Sequence, residues 1–153
     1  IRLDSLYAPA YHGLGKLHML DGRVNDAIRF FERACALDRT FNIAVFDLAQ
    51  AYFHIGEFQR SIAVYTFALT IDKRHNIINT NLAMAYAMVG NLDQAKQLFY
   101  QVIESDKKNI DARDGLAQVL LAEGDKQGAL TQWKYVLTVD PTHKRAQSAV
   151  RDL

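Results

Sequence analysis

An all-α fold, a solenoid of four tandem helix–turn–helix units, is predicted by three features of this 153-residue chain. Gly22, Gly56, Gly90 and Gly124 stand 34 residues apart. Asp4, Asp38, Asp72, Asp106 and Asp140 keep the same interval without a slip. Between these markers apolar residues recur at the i, i+3, i+4, i+7 spacing of one helix face. A period in this range marks stacked supersecondary units, none of which buries its own apolar side alone.

The units run over residues 8–41, 42–75, 76–109 and 110–143. In the first, Tyr11, Leu14 and Gly15 mark one helix, and Val24, Ile28 and Phe31 the next. The second unit carries Val45, Leu48, Ala49 and Tyr52, then Phe58, Ile62, Tyr65 and Leu69. In the third the stripe is Leu82, Ala83 and Tyr86, followed by Leu92, Ala95 and Phe99. The fourth has Leu116, Ala117 and Leu120 ahead of Leu130 and Trp133. The periodic glycine ends each first helix, because the left-handed residue that closes a helix is cheap only for Gly.

Small residues recur where paired helices must approach: Gly15, Ala49, Ala83 and Ala117 on first helices, Ala27, Ser61, Ala95 and Ala129 on second ones. Phe31, Tyr65, Phe99 and Trp133 are expected to fill the wider gap between units. The periodic aspartates oppose the dipole at a helix C-terminus, so they read as turn residues accepting N–H bonds from the residues that follow. After Pro141, residues 144–153 form a short capping helix, apolar at Ala146, Ala149, Val150 and Leu153 and polar elsewhere. This cap reads as a natural C-terminus. Residues 1–7 read as the tail of a preceding repeat, with more chain expected upstream, and residues 1–153 as one domain.

Composition narrows the function. Lys+Arg 18 against Asp+Glu 17 gives a net charge of +1, which offers a polyanion no general attraction. No apolar run approaches the roughly 20 residues of a membrane-spanning helix. Cys35 is the only cysteine, so no internal disulfide forms, and it falls on the apolar side of a second helix as an inert thiol. His12, His18, His54, His75 and His143 make no i, i+4 metal pair. No phosphate loop or paired-carboxylate motif is present. No enzyme activity, metal or cofactor is expected, and the compartment is not readable.

The order of Leu with Gly or Ala, Tyr, Gly, Ala, an aromatic, then Ala and Asp resembles the tetratricopeptide repeat, in all four units and without insertions. The family's Pro after the Asp appears only as Pro141, and Val102 and Val136 replace the small residue seen as Ala34 and Ala68, which predicts slightly looser packing. The resemblance implies a right-handed superhelix whose concave groove, lined by first helices, binds a peptide or helix of another protein. On this chain that face maps to His12, Lys16, Ile43, Phe46, Asp47, Gln50, Phe53, Ile77, Asn81, Met84, Met88, Asp111, Asp114 and Gln118. Phe46, Phe53, Met84 and Met88 would be apolar anchors, methionine being soft enough to adapt to its guest. Gln50 and Asn81 would bond the guest's backbone, and Asp47, Asp111 and Asp114 would favour basic flanking residues.

The family's two-carboxylate clamp for chaperone tails is missing. One register offers His12, Lys16, Asp47, Ile77 and Asn81, the other Phe46, Gln50, Asn81, Asp111 and Gly115, with Asp or an apolar group where a cation is required. A groove of this apolar-to-acidic kind does not suit nucleic acid. The basic column of Arg39, Lys73, Arg74, Lys107 and Lys108 reads as helix-end compensation and solubility, or else as an edge that meets an acidic partner or an anionic membrane or polymer. The alternative to a peptide-binding scaffold is a self-associating or spacer module in a larger complex, of the secretion, pilus or polysaccharide-export kind. A third reading has the repeats docking an upstream catalytic domain.

Overall fold

Helix starts follow the period. First helices begin at Ala8, Asn42, Asn76 and Ile110, and a fifth begins at Lys144. The computed structural model describes residues 7–72 and 75–153. Asp4, Lys73, Arg74 and the upstream residues 1–6 lie outside them. The fold is all-α: α1 (Ala8–Leu20), α2 (Val24–Leu37), α3 (Asn42–His54), α4 (Phe58–Ile71), α5 (Asn76–Met88), α6 (Leu92–Ser105), α7 (Ile110–Ala122), α8 (Lys126–Val139) and α9 (Lys144–Asp152). The chain divides into two compact units, Ile1–Ile78 and Asn79–Leu153.

The periodic glycines close the first helices as expected. Gly56 has φ +79°; its N–H reaches the Phe53 carbonyl at 3.1 Å, and the next N–H, of Glu57, reaches back to the Tyr52 carbonyl at 3.0 Å. Two of the helix's orphan carbonyls are thereby satisfied. The same pair of bonds recurs at Gly22, Gly90 and Gly124. Three periodic aspartates turn the chain out of the second helices. Asp38 Oδ1 accepts from the Thr40 N–H and hydroxyl at 2.9 and 2.8 Å, Asp140 does the same with Thr142 at 2.9 and 2.7 Å, and Asp106 takes the Lys108 N–H at 3.1 Å. The Thr142 bonds hold the Asp140 carboxyl below its ordinary range.

In the first unit α2 packs on both α1 and α3. Ala27, Ile28 and Phe31 share one core with Leu48, Ala51 and Tyr52. A Cβ on Gly15 would lie 2.4 Å from the Phe31 ring, so an aromatic this close to α1 requires glycine opposite it. Ser61 is fully buried where the other units carry Ala, and its hydroxyl donates to the Ala49 carbonyl at 2.9 Å. The Tyr52 hydroxyl donates to Glu32 at 2.5 Å; burial first, then this carboxylate, raises its pKa to about 12.

The second unit has the larger core, Ala83, Ala95, Phe99, Val102, Leu116, Ala117, Trp133, Val136 and Ala146 among its members. Val102 and Val136 are wholly buried members of this core. Three helix starts here, those of α7, α8 and α9, are capped by side chains. Asn109 accepts from the Ala112 N–H at 2.9 Å, Asp125 from Gly128 at 2.8 Å and His143 Nδ1 from Ala146 at 3.3 Å. One expected core residue differs. Leu14 is 42% exposed, because no described helix lies against α1 as α2 lies against α3.

An added Cβ at Gly56 would meet nothing within 4 Å, so Gly56→Ala isolates the backbone cost of φ +79°. It should destabilise the chain by about 1 kcal/mol, read as a lower urea midpoint at unchanged m-value.

Candidate functional site

Ile43 and Ile77 are the second residues of α3 and α5, one period apart, and this register leaves both on the surface, 59% and 58% exposed. Within the first unit they flank a cleft of about 330 Å³. Phe46, one turn along α3 from Ile43, forms its floor with Ala68 and Ile78. The Phe46 ring stands edge-on to Tyr65, centroids 5.9 Å apart, which fixes its orientation. Small Ala68 keeps the space open. Asn42, Asp72 and His75 supply the polar rim. The Nδ1 of His75 is buried and has no hydrogen-bond partner among the described residues, an unmet demand in the wall of an otherwise apolar cleft.

The remaining first-unit candidates serve different ends. His12 Nε2 and Asp47 Oδ2 are 2.6 Å apart, and the imidazole is buried against Phe31 and Phe41. These two side chains tie α1 to α3. Lys16 and Gln50 are exposed, and Phe53 rests edge-on against Phe58 at 5.1 Å. In the second unit Met88 and Asp111 are exposed, Asn81 is half-buried and Met84 packs against the core. Asp114 is buried. Its carboxylate accepts from the Trp133 indole N–H at 2.8 Å and from Gln118 Nε2 at 2.9 Å, and pairs with Arg145 of the capping helix. This carboxylate is bonded inside its own unit, joining α7, α8 and α9.

A family model described as CABIN1 N-terminal domain matches residues 31–152, and a tetratricopeptide-repeat model matches residues 8–41. The chain belongs to the CABIN1 N-terminal domain family. Its repeats are tetratricopeptide repeats. No curated protein matches it. Among solved structures, a MamA protein is similar at TM-score 0.84 and 19% identity, over 94% of this chain and 78% of that one. YrrB, described as a TPR protein with an unusual peptide-binding site, is similar at TM-score 0.74 and 19% identity, over 92% and 72%. PilF of Pseudomonas aeruginosa is similar at TM-score 0.83 and 17% identity, over 99% and 69%. At these identities the likeness is one of fold.

This member of the family places little reactive chemistry near the cleft. Burial first, then Glu32 and Asp38, pushes the Cys35 thiol up to about 11, so it stays protonated at neutral pH. Among the described residues no three His, Cys, Asp or Glu side chains gather as a metal site, and no helix is long and apolar enough to cross a membrane. The sequence argument missed Asn42, Ala68, His75 and Ile78 of the cleft. The first, second and last of these stand one period from Asn76, Ala34 and Ala112, so repeat position alone would not single them out.

Two measurements check this description. Asp114→Ala strands the Trp133 N–H in the core and should cost about 2–3 kcal/mol, with a shift in tryptophan emission. Because Cys35 has a raised folded pKa, the thiol form stabilises the fold below the unfolded value of 9.0, and that gain is lost as pH rises through about 11. At pH 8 an aromatic disulfide reagent should therefore modify native Cys35 at least about tenfold more slowly than the unfolded chain.

Proposed function

We propose that this chain is a non-catalytic interaction scaffold that seats an extended or helical segment of another protein on its first helices, with the cleft of Ile43, Phe46 and Ile77 as its main anchor point. The observation that carries this reading is that two large aliphatic side chains stay more than half exposed beside a preformed apolar hole. Such residues normally seek cover, and a cleft of this size suits one large apolar side chain of a guest. Burying such a group contributes roughly 1.5–3 kcal/mol, so one anchor plus backbone hydrogen bonds supports weak to micromolar capture. Exposed Gln50, farther along α3, offers the guest a polar contact. That YrrB, a protein of this fold, has a peptide-binding site supports the class of guest. In the second unit Met88 and Asp111 are the exposed members of the set and take the same role there.

Selection of a random peptide library on the full chain tests it. Enriched peptides should share one large aliphatic or aromatic residue. Their binding should fall at least tenfold on Phe46→Asp with Ile77→Asp, while circular dichroism keeps its helical signal. Equal binding to that variant would remove the cleft from the function.

A further inference from the structure

We propose that Ala68 is the specificity-determining residue of the cleft, and that the guest's anchor is an aromatic side chain entering between Ile43 and Ile77 onto the Phe46 ring. This rests on the cleft reading above and narrows it. Its ground is the chain's own repetition, because one seam between hairpins recurs at every period.

The fifth residue of each first helix forms the floor of its seam: His12, Phe46, Thr80 and Asp114. His12, Thr80 and Asp114 are buried, whereas Phe46 is only half-buried. In the first and last seams the chain covers the floor itself. The Phe41 ring stands edge-on to the His12 imidazole, centroids 5.3 Å apart and planes at 73°. Arg145, which occupies the repeat position of Ile77, pairs with the Asp114 carboxylate. Floor and cover match in kind, ring with ring and guanidinium with carboxylate. Ile77 has neither a ring nor a charge to offer and stays 58% exposed at the side of the cleft. Phe46 brings no carboxylate to balance a guanidinium, and it already holds one edge-on aromatic contact, with Tyr65. A second ring, walled by branched Ile43, Ile77 and Ile78, is the cover that suits it.

Ala68 makes the room. Its series on the second helices is Ala34, Ala68, Val102 and Val136, all buried. The residue just before the next helix changes in step: Phe41, His75, Asn109 and His143. After the two valines stand Asn109 and His143, which cap helices by accepting the Ala112 and Ala146 N–H groups at 2.9 and 3.3 Å. After Ala34 stands the phenylalanine that covers His12. The second seam has the alanine without the phenylalanine. His75 lies in the cleft wall, and about 330 Å³ stays open among the described residues. Two further methyls on Ala68 would project into that space. The repeat accepts valine at this position, as Val102 and Val136 show in an intact core.

The test is a pair of selections from one random peptide library, on the full chain and on its Ala68→Val variant, with circular dichroism comparing their helicity. The wild-type chain should enrich peptides with an aromatic anchor. Those peptides should bind at least tenfold more weakly to Ala68→Val and severalfold more weakly to Ala68→Cys, a smaller step in size. Selection on Ala68→Val should move to anchors without a ring. Full binding to Ala68→Val by peptides that Phe46→Asp with Ile77→Asp abolishes would overturn this inference and leave the cleft reading standing, as would an aliphatic or arginine anchor on the wild-type chain. Peptides that bind every variant equally, or no enrichment at all, would remove the cleft reading and this one with it. Where Ala68→Val loses helicity, Ala68→Cys decides, and unchanged binding there overturns the inference.

Discussion

A helix hairpin has two apolar sides and can cover only one of them itself. The other must be covered by the next hairpin, and most of the side-chain choices in this chain answer that requirement. Ala27, Ser61, Ala95 and Ala129 are completely buried because a longer side chain there would hold paired helices apart. The aromatic that follows on each second helix fills the space left over. Phe31 does so tightly enough that α1 must present glycine to it, and Phe99 asks the same of Gly115. Close packing explains why these positions stay small on one helix and aromatic on the other.

Polar groups on the first helices meet three different fates. Asp47 is tied to His12, Asp114 is sunk between the Trp133 indole and Arg145, and Asp111 stays in solvent. All three are carboxylates on the same kind of helix. What separates them is the neighbour: a buried acid persists only where donors from other helices surround it, and α8 and α9 bring those donors to Asp114 alone. Residue type therefore says little about which acid is a lock and which is a contact.

The ends of the two units are built differently. The second carries side-chain caps at Asn109, Asp125 and His143, each a contribution of about 1 kcal/mol where the bond is good, and α9 turns a charged side outward over α8. Helices α1 to α4 start without a side-chain cap, as does α6 of the second unit. The preformed cleft belongs to this less locally secured unit. Membership of the CABIN1 N-terminal domain family accounts for the hairpins. It does not account for the cleft, which comes from Ile43, Phe46 and Ile77.

The chain's own order of residues determined the period, the helix pairs, the glycine closures and the aspartate turns, because each is decided within a few residues of backbone and needs no distant partner. It also marked Ile43, Phe46 and Ile77 as first-helix surface. Only the tertiary structure decided that these three surround one hole, that Leu14 is left bare, and that Asp114 faces inward. Those outcomes depend on which second helix arrives beside which first helix, and identical letters at identical repeat positions diverge as soon as their neighbours do.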